Sequence, residues 1–181
     1  MTLANEKAVV RRCQQGEIPA FEELYRHYEA PMLFLAFRLT GNRADAEDAL
    51  QNAFVNLYRK VGQYRFQSAF STWFHRIVVN ACYNKLQDGK RRSQVPLEKA
   101  ATISREDPTE LSLQLQHAID SLPPRMKTCF VLFAVEGFKQ QEVAEILETR
   151  EGTVKAQVFA AKARLREQLG ENWRGRKTDE L

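Results

Sequence analysis

The side chains of this 181-residue chain that could engage a ligand are amides, aromatics and cations rather than nucleophiles or metal ligands. Between Phe70 and Arg92, a spacing of three and four residues lines up Arg76, Asn80, Tyr83, Asn84 and Gln87. Amides and aromatics in such a row can read base edges or stack on unpaired bases. The cations Lys90, Arg91 and Arg92 follow Gly89 and would hold phosphate. The same stretch also suits a solvated helix whose end happens to be basic, and by itself it does not decide between the two.

A second row lies near the C-terminus. Lys155, Phe159, Lys162 and Arg166 share one helical stripe, with Arg150 and Thr153 at its entry. Glu151 and Glu167 oppose the cations of this segment, so its charge is basic but mixed. A generic helical hairpin is the plain alternative to a DNA-reading helix here.

Enzyme readings find little support. Cys13, Cys82 and Cys129 are isolated and odd in number, which suits small buried hydrophobes in a reducing compartment better than a disulfide framework. His27, His75 and His117 have no cysteine or carboxylate at ligand spacing, so no metal site is expected. A Gly-rich phosphate loop and a nucleophile–base pair are equally missing from the pattern, so neither a catalytic residue nor a cofactor is expected. The formal net charge of +4 is too small to argue from, and its placement matters more. The first residues lack the pattern of a signal peptide and no apolar run reaches membrane length, which predicts a cytoplasmic protein; without a catalytic constellation, no small-molecule substrate is expected either.

The elements that must position these rows are helices. Residues about 4 to 15 form the first, ending near Gly16. Pro19 opens a second, with Phe21, Leu24, Tyr25 and Tyr28 on one side, and Pro31 restarts the chain into an apolar segment closed by Gly41. Asn42 is an N-cap for a long helix with Asp45, Glu47 and Asp48 in its first turns, where the helix dipole favours acid. Ala46, Ala49, Leu50, Ala53, Phe54, Leu57, Tyr58 and Val61 form its apolar stripe; Asp48, Gln51, Asn52, Asn56 and Arg59 form its polar one. That polar face suits either solvent or a docked protein. Residues 62–71 are a short connection whose aromatics Tyr64 and Phe66 are expected to pack down.

In the helix that follows, Trp73 or Phe74 starts the apolar stripe of Ile77, Val78, Ala81, Cys82 and Leu86, and Gly89 is placed to stop it. Residues 93–110 carry two prolines and four acids, Glu98, Glu106, Asp107 and Glu110, against Lys99 and Arg105, which reads as a flexible linker. The expected fold is therefore all-α. It comprises two small helical domains, 1–92 and 111–181, joined by that linker. In the second, Leu111, Leu115, Ala118, Ile119 and Leu122 form a stripe stopped by Pro123. Pro124 opens a helix with Met126, Cys129, Phe130 and Phe133 inward, ending at Gly137. Val143, Ala144, Ile146 and Leu147 make a short helix, Thr149 to Gly152 a tight turn, and Val154, Val158, Ala161, Leu165 and Leu169 the inner face of a longer helix. Two helices around so short a turn match a helix-turn-helix.

Taken together and in order, three stretches make the chain resemble the extracytoplasmic-function (ECF) sigma factors, the minimal two-domain initiation subunits of bacterial RNA polymerase. DAEDALQNAFVNLYRKV resembles the helix that binds the polymerase clamp. FSTWFHRIVVNACYNKLQDGKRR is similar to the minus-ten recognition segment. SLPPRMKTCFVLFAVEGFKQQEVAEILETREGTVKAQVFAAKARLRE is similar to the minus-thirty-five domain.

The resemblance implies that Asp45, Asp48, Gln51, Asn52 and Asn56 face the clamp helices of the large subunit. It implies that the loop from Tyr64 through Phe66 to Ser71, with Asn80 and Asn84, captures an unstacked base, that Phe70 and Trp73 support strand opening, that Arg76, Lys85, Lys90, Arg91 and Arg92 hold backbone, and that Tyr83 belongs to the same minus-ten surface. Arg150, Thr153, Lys155, Phe159, Lys162 and Arg166 would meet the minus-thirty-five duplex. The implied partners are core RNA polymerase, through its clamp and flap, promoter DNA, and an anti-sigma protein of the kind that in this family is frequently membrane-anchored. The chain departs from the family's usual pattern at Ala156, Gln157 and Ala160, where Ser and Arg are common, and fewer cations mean a flatter salt dependence. A stand-alone helix-turn-helix regulator is the alternative, and it would bind duplex DNA without opening it. A recombinase would need a Ser or Tyr nucleophile among clustered arginines, which is not apparent.

Overall fold

A computed structural model describes residues 5–92 and 110–170, with the side chains of 5–88 and 114–170. All regular structure among these residues is helical. The chain divides into two compact units, Met1–Ala101 and Thr102–Leu181. The expected linker, but for Glu110, lies outside the described residues, as do the side chains of Lys90, Arg91 and Arg92.

The first unit holds α1 (Glu6–Gln14), α2 (Ile18–Thr40), α3 (Arg43–Lys60) and α4 (Phe70–Arg92), with a 3-10 turn at Val61–Gln63 after α3. Pro31 does not restart the chain; α2 runs straight through it. An interior proline costs about 3 kcal/mol. Leu24, Tyr28, Met32, Leu35 and Leu39 are buried on both sides of it, and each such side chain returns about 1.5–3 kcal/mol. Packing therefore overrides the local penalty. Gly41 ends the helix as expected, with φ +83° and its N–H donating to the Phe37 carbonyl at 2.8 Å.

Asn42 caps α3, its Oδ1 accepting from the Asp45 N–H at 2.8 Å while its Nδ2 donates to Asp45 Oδ2 at 2.6 Å. Gly89 does not stop α4, which continues to Arg92. A glycine in a helix costs only about 1 kcal/mol relative to alanine, and the Lys and Arg after it are good helix formers.

The core of this unit is aromatic. Phe74 is fully buried, with its ring 5.3 Å from Tyr28, 5.2 Å from Phe54 and 6.1 Å from Phe70. The inward residue at the start of α4 is thus Phe74, and Trp73 is only partly buried. His75 is also buried, its Nδ1 2.7 Å from the Ser71 carbonyl. The three cysteines are buried and free, and desolvation lifts their thiols to about 11, 12 and 11 for Cys13, Cys82 and Cys129.

The second unit holds α5 (Glu110–Asp120), α6 (Pro124–Phe130), α7 (Gln140–Ile146) and α8 (Glu151–Leu169). Pro124 sits in the first turn of α6. The segment expected as one helix to Gly137 instead widens into a π-helical turn at Val131–Val135. There the Glu136 N–H reaches the Val131 carbonyl at 3.0 Å. This insertion shifts the inward face, so Val131 and Leu132 are fully buried while Phe133 is only half-buried. Lys127 in α6 is itself buried, its ammonium paired with Asp120 at 2.7 Å.

Burial of His75 lowers its pKa to about 4. The unfolded chain takes up a proton near the ordinary value of about 6.5, so this contribution to stability is present above that pH and is lost as pH falls toward 4. Urea unfolding at about pH 7.5 and about pH 5 should show a loss on the order of 2 kcal/mol from this group, and His75→Gln should flatten that slope.

Candidate nucleic-acid interface

Burial of Phe74, Val78, Ala81 and Cys82 fixes the rotation of α4, and the 3.6-residue period then decides what faces outward. Trp73, Ile77, Asn80 and Asn84 fall in one row, with Arg76, Tyr83 and Gln87 beside it. Asn80 and Asn84 are exposed, while Arg76 and Tyr83 are half-buried. Trp73 packs on the connection before α4, its ring 5.1 Å from Tyr64 and 5.7 Å from Phe70.

Tyr64 and Phe70 are buried. The Tyr64 hydroxyl donates to the Ser68 carbonyl at 2.6 Å, so the connection packs down as expected and neither ring is offered to a ligand in this conformation. Phe66 is half-exposed, its backbone at φ +57°, a left-handed conformation that is uncommon outside glycine. Ser71 is half-buried in the first turn of α4.

Lys85 does not stand apart as a backbone-holding cation. Its ammonium bridges to Asp48 at 2.5 Å and to Asp45 at 3.4 Å, tying α4 to the start of α3. The hydrogen bond to Asp48 comes first among the causes that raise its pKa. Asp45 serves both this bridge and the Asn42 cap, and it is half-buried. The remaining polar face of α3 is open: Asp48, Gln51, Asn52 and Arg59 are exposed and Asn56 is partly so.

Two features of this surface escape the sequence pattern. Val55, 43% exposed, interrupts the polar row. Tyr58, assigned by periodicity to the core stripe, is 57% exposed. It packs on Phe21 at 4.8 Å, and with Ile18, Tyr25, Phe54 and Leu57 it lines an apolar groove of about 300 Å³ between α2 and α3. Apolar residues on α2 claim the α3 stripe from the side, which a single-helix pattern cannot show.

In the second unit, Val154, Val158, Ala161, Leu165 and Leu169 are all buried, so α8 presents Lys155, Phe159, Lys162 and Arg166 as an exposed row. Phe159 is 76% exposed. Lys155 pairs with Glu151 at 3.1 Å, and the Lys162 ammonium lies 5.4 Å from the centre of the Phe133 ring. Arg150 and Thr153 are exposed at the helix entry. The turn from α7 lies two residues earlier than expected, at Leu147–Arg150 rather than Thr149–Gly152. Glu148 takes φ +49°, the Thr149 N–H reaches the Ala144 carbonyl at 3.0 Å, and α8 already begins at Glu151. Glu151 and Gly152 therefore belong to the first helical turn, where backbone N–H groups have no helical partner and an acid suits the dipole.

Among the described residues no group of three metal-binding side chains comes together, and no helix is long and apolar enough to cross a membrane.

Comparison with known proteins agrees with this geometry unit by unit. Residues 24–92 match the family model of Sigma-70 region 2, and residues 112–165 that of Sigma-70, region 4. The ECF RNA polymerase sigma factor SigM of Mycobacterium tuberculosis is 35% identical over 156 residues, which are 86% of this chain and 80% of that protein. The RNA polymerase sigma-H factor of Pseudomonas aeruginosa is 30% identical over 178 residues, covering 90% and 92%. Among solved structures, the sigma factor RpoE from Bartonella quintana, crystallised with the anti-sigma factor NepR, has a similar fold. Its TM-score is 0.72 at 21% identity, over 90% of this chain and all of that one.

The Lys85–Asp48 bridge can be measured as a coupling. A double-mutant cycle with Lys85→Met and Asp48→Asn should give about 0.5 kcal/mol in unfolding free energy, shrinking in high salt; additive losses would mean the bridge holds nothing together.

Proposed function

The chain belongs to the extracytoplasmic-function sigma factors, and from that membership we propose a division of labour along it. Residues 1–92 bind core RNA polymerase and read the minus-ten element, residues 111–181 read the minus-thirty-five element, and residues 93–110 connect them. As a sigma factor it recognises promoters for RNA polymerase. The bond-making chemistry is left to the polymerase, and the place of action is the cytoplasm, where that enzyme works.

The observation that carries the minus-ten assignment is the row Trp73, Asn80 and Asn84 on the outer side of α4, beside the packed Tyr64–Phe70 connection. Asn80 and Asn84 bring exposed amides that can hydrogen-bond the edge of an extruded base, and Trp73 offers an aromatic face for stacking. Phe70 and Tyr64 act from behind as buried support. Arg76 and Tyr83 flank the row, with Lys90, Arg91 and Arg92 assigned to phosphate. Lys85 is first a bridge between α3 and α4, so it takes a smaller part in holding backbone than its position in the motif implies.

The polymerase-facing surface is the exposed row of α3. Asp48, Gln51, Asn52 and Asn56 supply polar contacts and Val55 an apolar one, while Asp45 is engaged mainly with the Asn42 cap and Lys85. In the second unit, Phe159 can contact only apolar parts of a base edge, and Lys155, Lys162, Arg166 and Arg150 supply phosphate contacts. An anti-sigma protein is a further partner. This reading is supported by the solved protein of similar fold, the sigma factor RpoE, which was crystallised with the anti-sigma factor NepR.

Single substitutions separate the two surfaces of the first unit. Asn80→Ala should reduce open-complex formation by about tenfold or more, the effect of losing a base-edge contact worth about 1–3 kcal/mol, while initial promoter binding changes little. Asn52→Arg should weaken affinity for core polymerase and leave the unfolding midpoint unchanged. Equal loss of both promoter steps in Asn80→Ala would remove that residue from strand opening.

A further inference from the structure

The connection between α3 and α4 is held from outside by α1, a helix that lies before the segment matched to Sigma-70 region 2. Gln14, the last residue of α1, donates both amide hydrogens of its Nε2, one to the Val61 carbonyl at 2.9 Å and one to the Tyr64 carbonyl at 2.8 Å. These two acceptors bracket the 3-10 turn that ends α3, where backbone carbonyls run out of helical partners. Val61 O also receives the Tyr64 N–H at 3.1 Å. One turn earlier on α1, the guanidinium of Arg11 lies 5.6 Å from the centre of the Phe66 ring. Phe66 is the residue in left-handed backbone, and its ring also rests 4.7 Å from Tyr64.

Alpha-1 has the rigidity to impose this geometry. Val9, Val10 and Cys13 are buried, and Glu6 accepts a hydrogen bond from the Tyr28 hydroxyl of α2. The two α1 side chains therefore reach, from a fixed base, the start of the connection and its least favourable backbone position. Left-handed backbone at a non-glycine residue costs on the order of 1–3 kcal/mol and persists only where its surroundings over-determine it.

We infer that Gln14 and Arg11 are positioning residues for minus-ten reading: they hold the Val61–Phe66 segment in the shape against which an extruded base is received. This rests on the minus-ten reading proposed above. Neither side chain need touch DNA; each acts through the backbone or ring it holds.

The test uses holoenzyme assembled from the full chain and core polymerase, on pre-opened promoter templates obtained by selection with that holoenzyme. Each minus-ten base of the non-template strand is replaced in turn by an abasic site, and the ratio of intact to abasic affinity is taken at each position. The wild type should show a peak ratio of roughly tenfold where a base is received. Gln14→Met, which keeps length and bulk but removes both donors, should lower that peak to about threefold or less, with core-polymerase affinity kept. Arg11→Ala should lower it in the same direction and Arg11→Lys should restore it. Arg11 is exposed, so this pair decides the matter by the same ratio if Gln14→Met does not fold. A peak that both Gln14→Met and Arg11→Ala leave intact overturns this inference alone. A wild type with no peak at any position overturns the minus-ten reading and this inference with it.

Discussion

The burial of Phe74 is the constraint on which the first unit depends. Its ring meets Tyr28 of α2, Phe54 of α3 and Phe70 of its own helix, so three helices converge on one side chain with no exposed surface. Truncating such a ring costs about 3–5 kcal/mol, enough to fix how α4 is rotated. Once Phe74 points inward, the helical period leaves no choice for the rest. Trp73, Asn80 and Asn84 must line the outer side, and Trp73 must lie against the Tyr64–Phe70 connection. The exposed row of α4 is thus a consequence of packing rather than a separate design.

Alpha-8 follows the same logic with aliphatic side chains. Five buried residues from Val154 to Leu169 set its rotation, and Lys155, Phe159, Lys162 and Arg166 emerge as a row. The π-helical turn at Val131–Val135 contributes by bringing Phe133 to the surface of that helix, where Lys162 rests on its ring. Electrostatics then adjusts both faces. Lys85 is tied to Asp48 and Asp45, and Lys155 shares its charge with Glu151 in an exposed pair. Positive charge counted along the sequence therefore overstates what either face offers to phosphate. With Ala156, Gln157 and Ala160 adding no cations to α8, this factor should depend on salt less steeply than its motif implies.

Periodicity made most of this legible. The inner stripe of α8, the Asn42 cap and the end of α2 at Gly41 all follow from residue type and spacing, because each is a local property of one helix. The misses share a different cause. Pro31 and Gly89 do not break their helices, since burial across Pro31 and good helix formers after Gly89 outweigh a local cost. Phe133 left the core because a one-residue π insertion shifts every later position, which no fixed period anticipates. Tyr58 and Lys85 answer to other helices, Tyr58 to Phe21 and Lys85 to two acids 37 and 40 positions earlier. The part played by Gln14 was invisible for the same reason: its partners are backbone carbonyls 47 and 50 residues away, and a backbone acceptor has no signature in sequence.

As proposed, this chain opens promoter DNA only as part of a polymerase, with the α4 row receiving the displaced strand. Permanganate probing of unpaired thymines, together with run-off transcription on promoters selected with the holoenzyme, tests it most directly. Reactive thymines in the minus-ten region and a defined transcript are expected when core polymerase and this chain are combined, and neither when the chain is added alone. Tight binding to the same duplex without polymerase, with no reactive thymines and no transcript when polymerase is supplied, would contradict it and point to a stand-alone DNA-binding regulator.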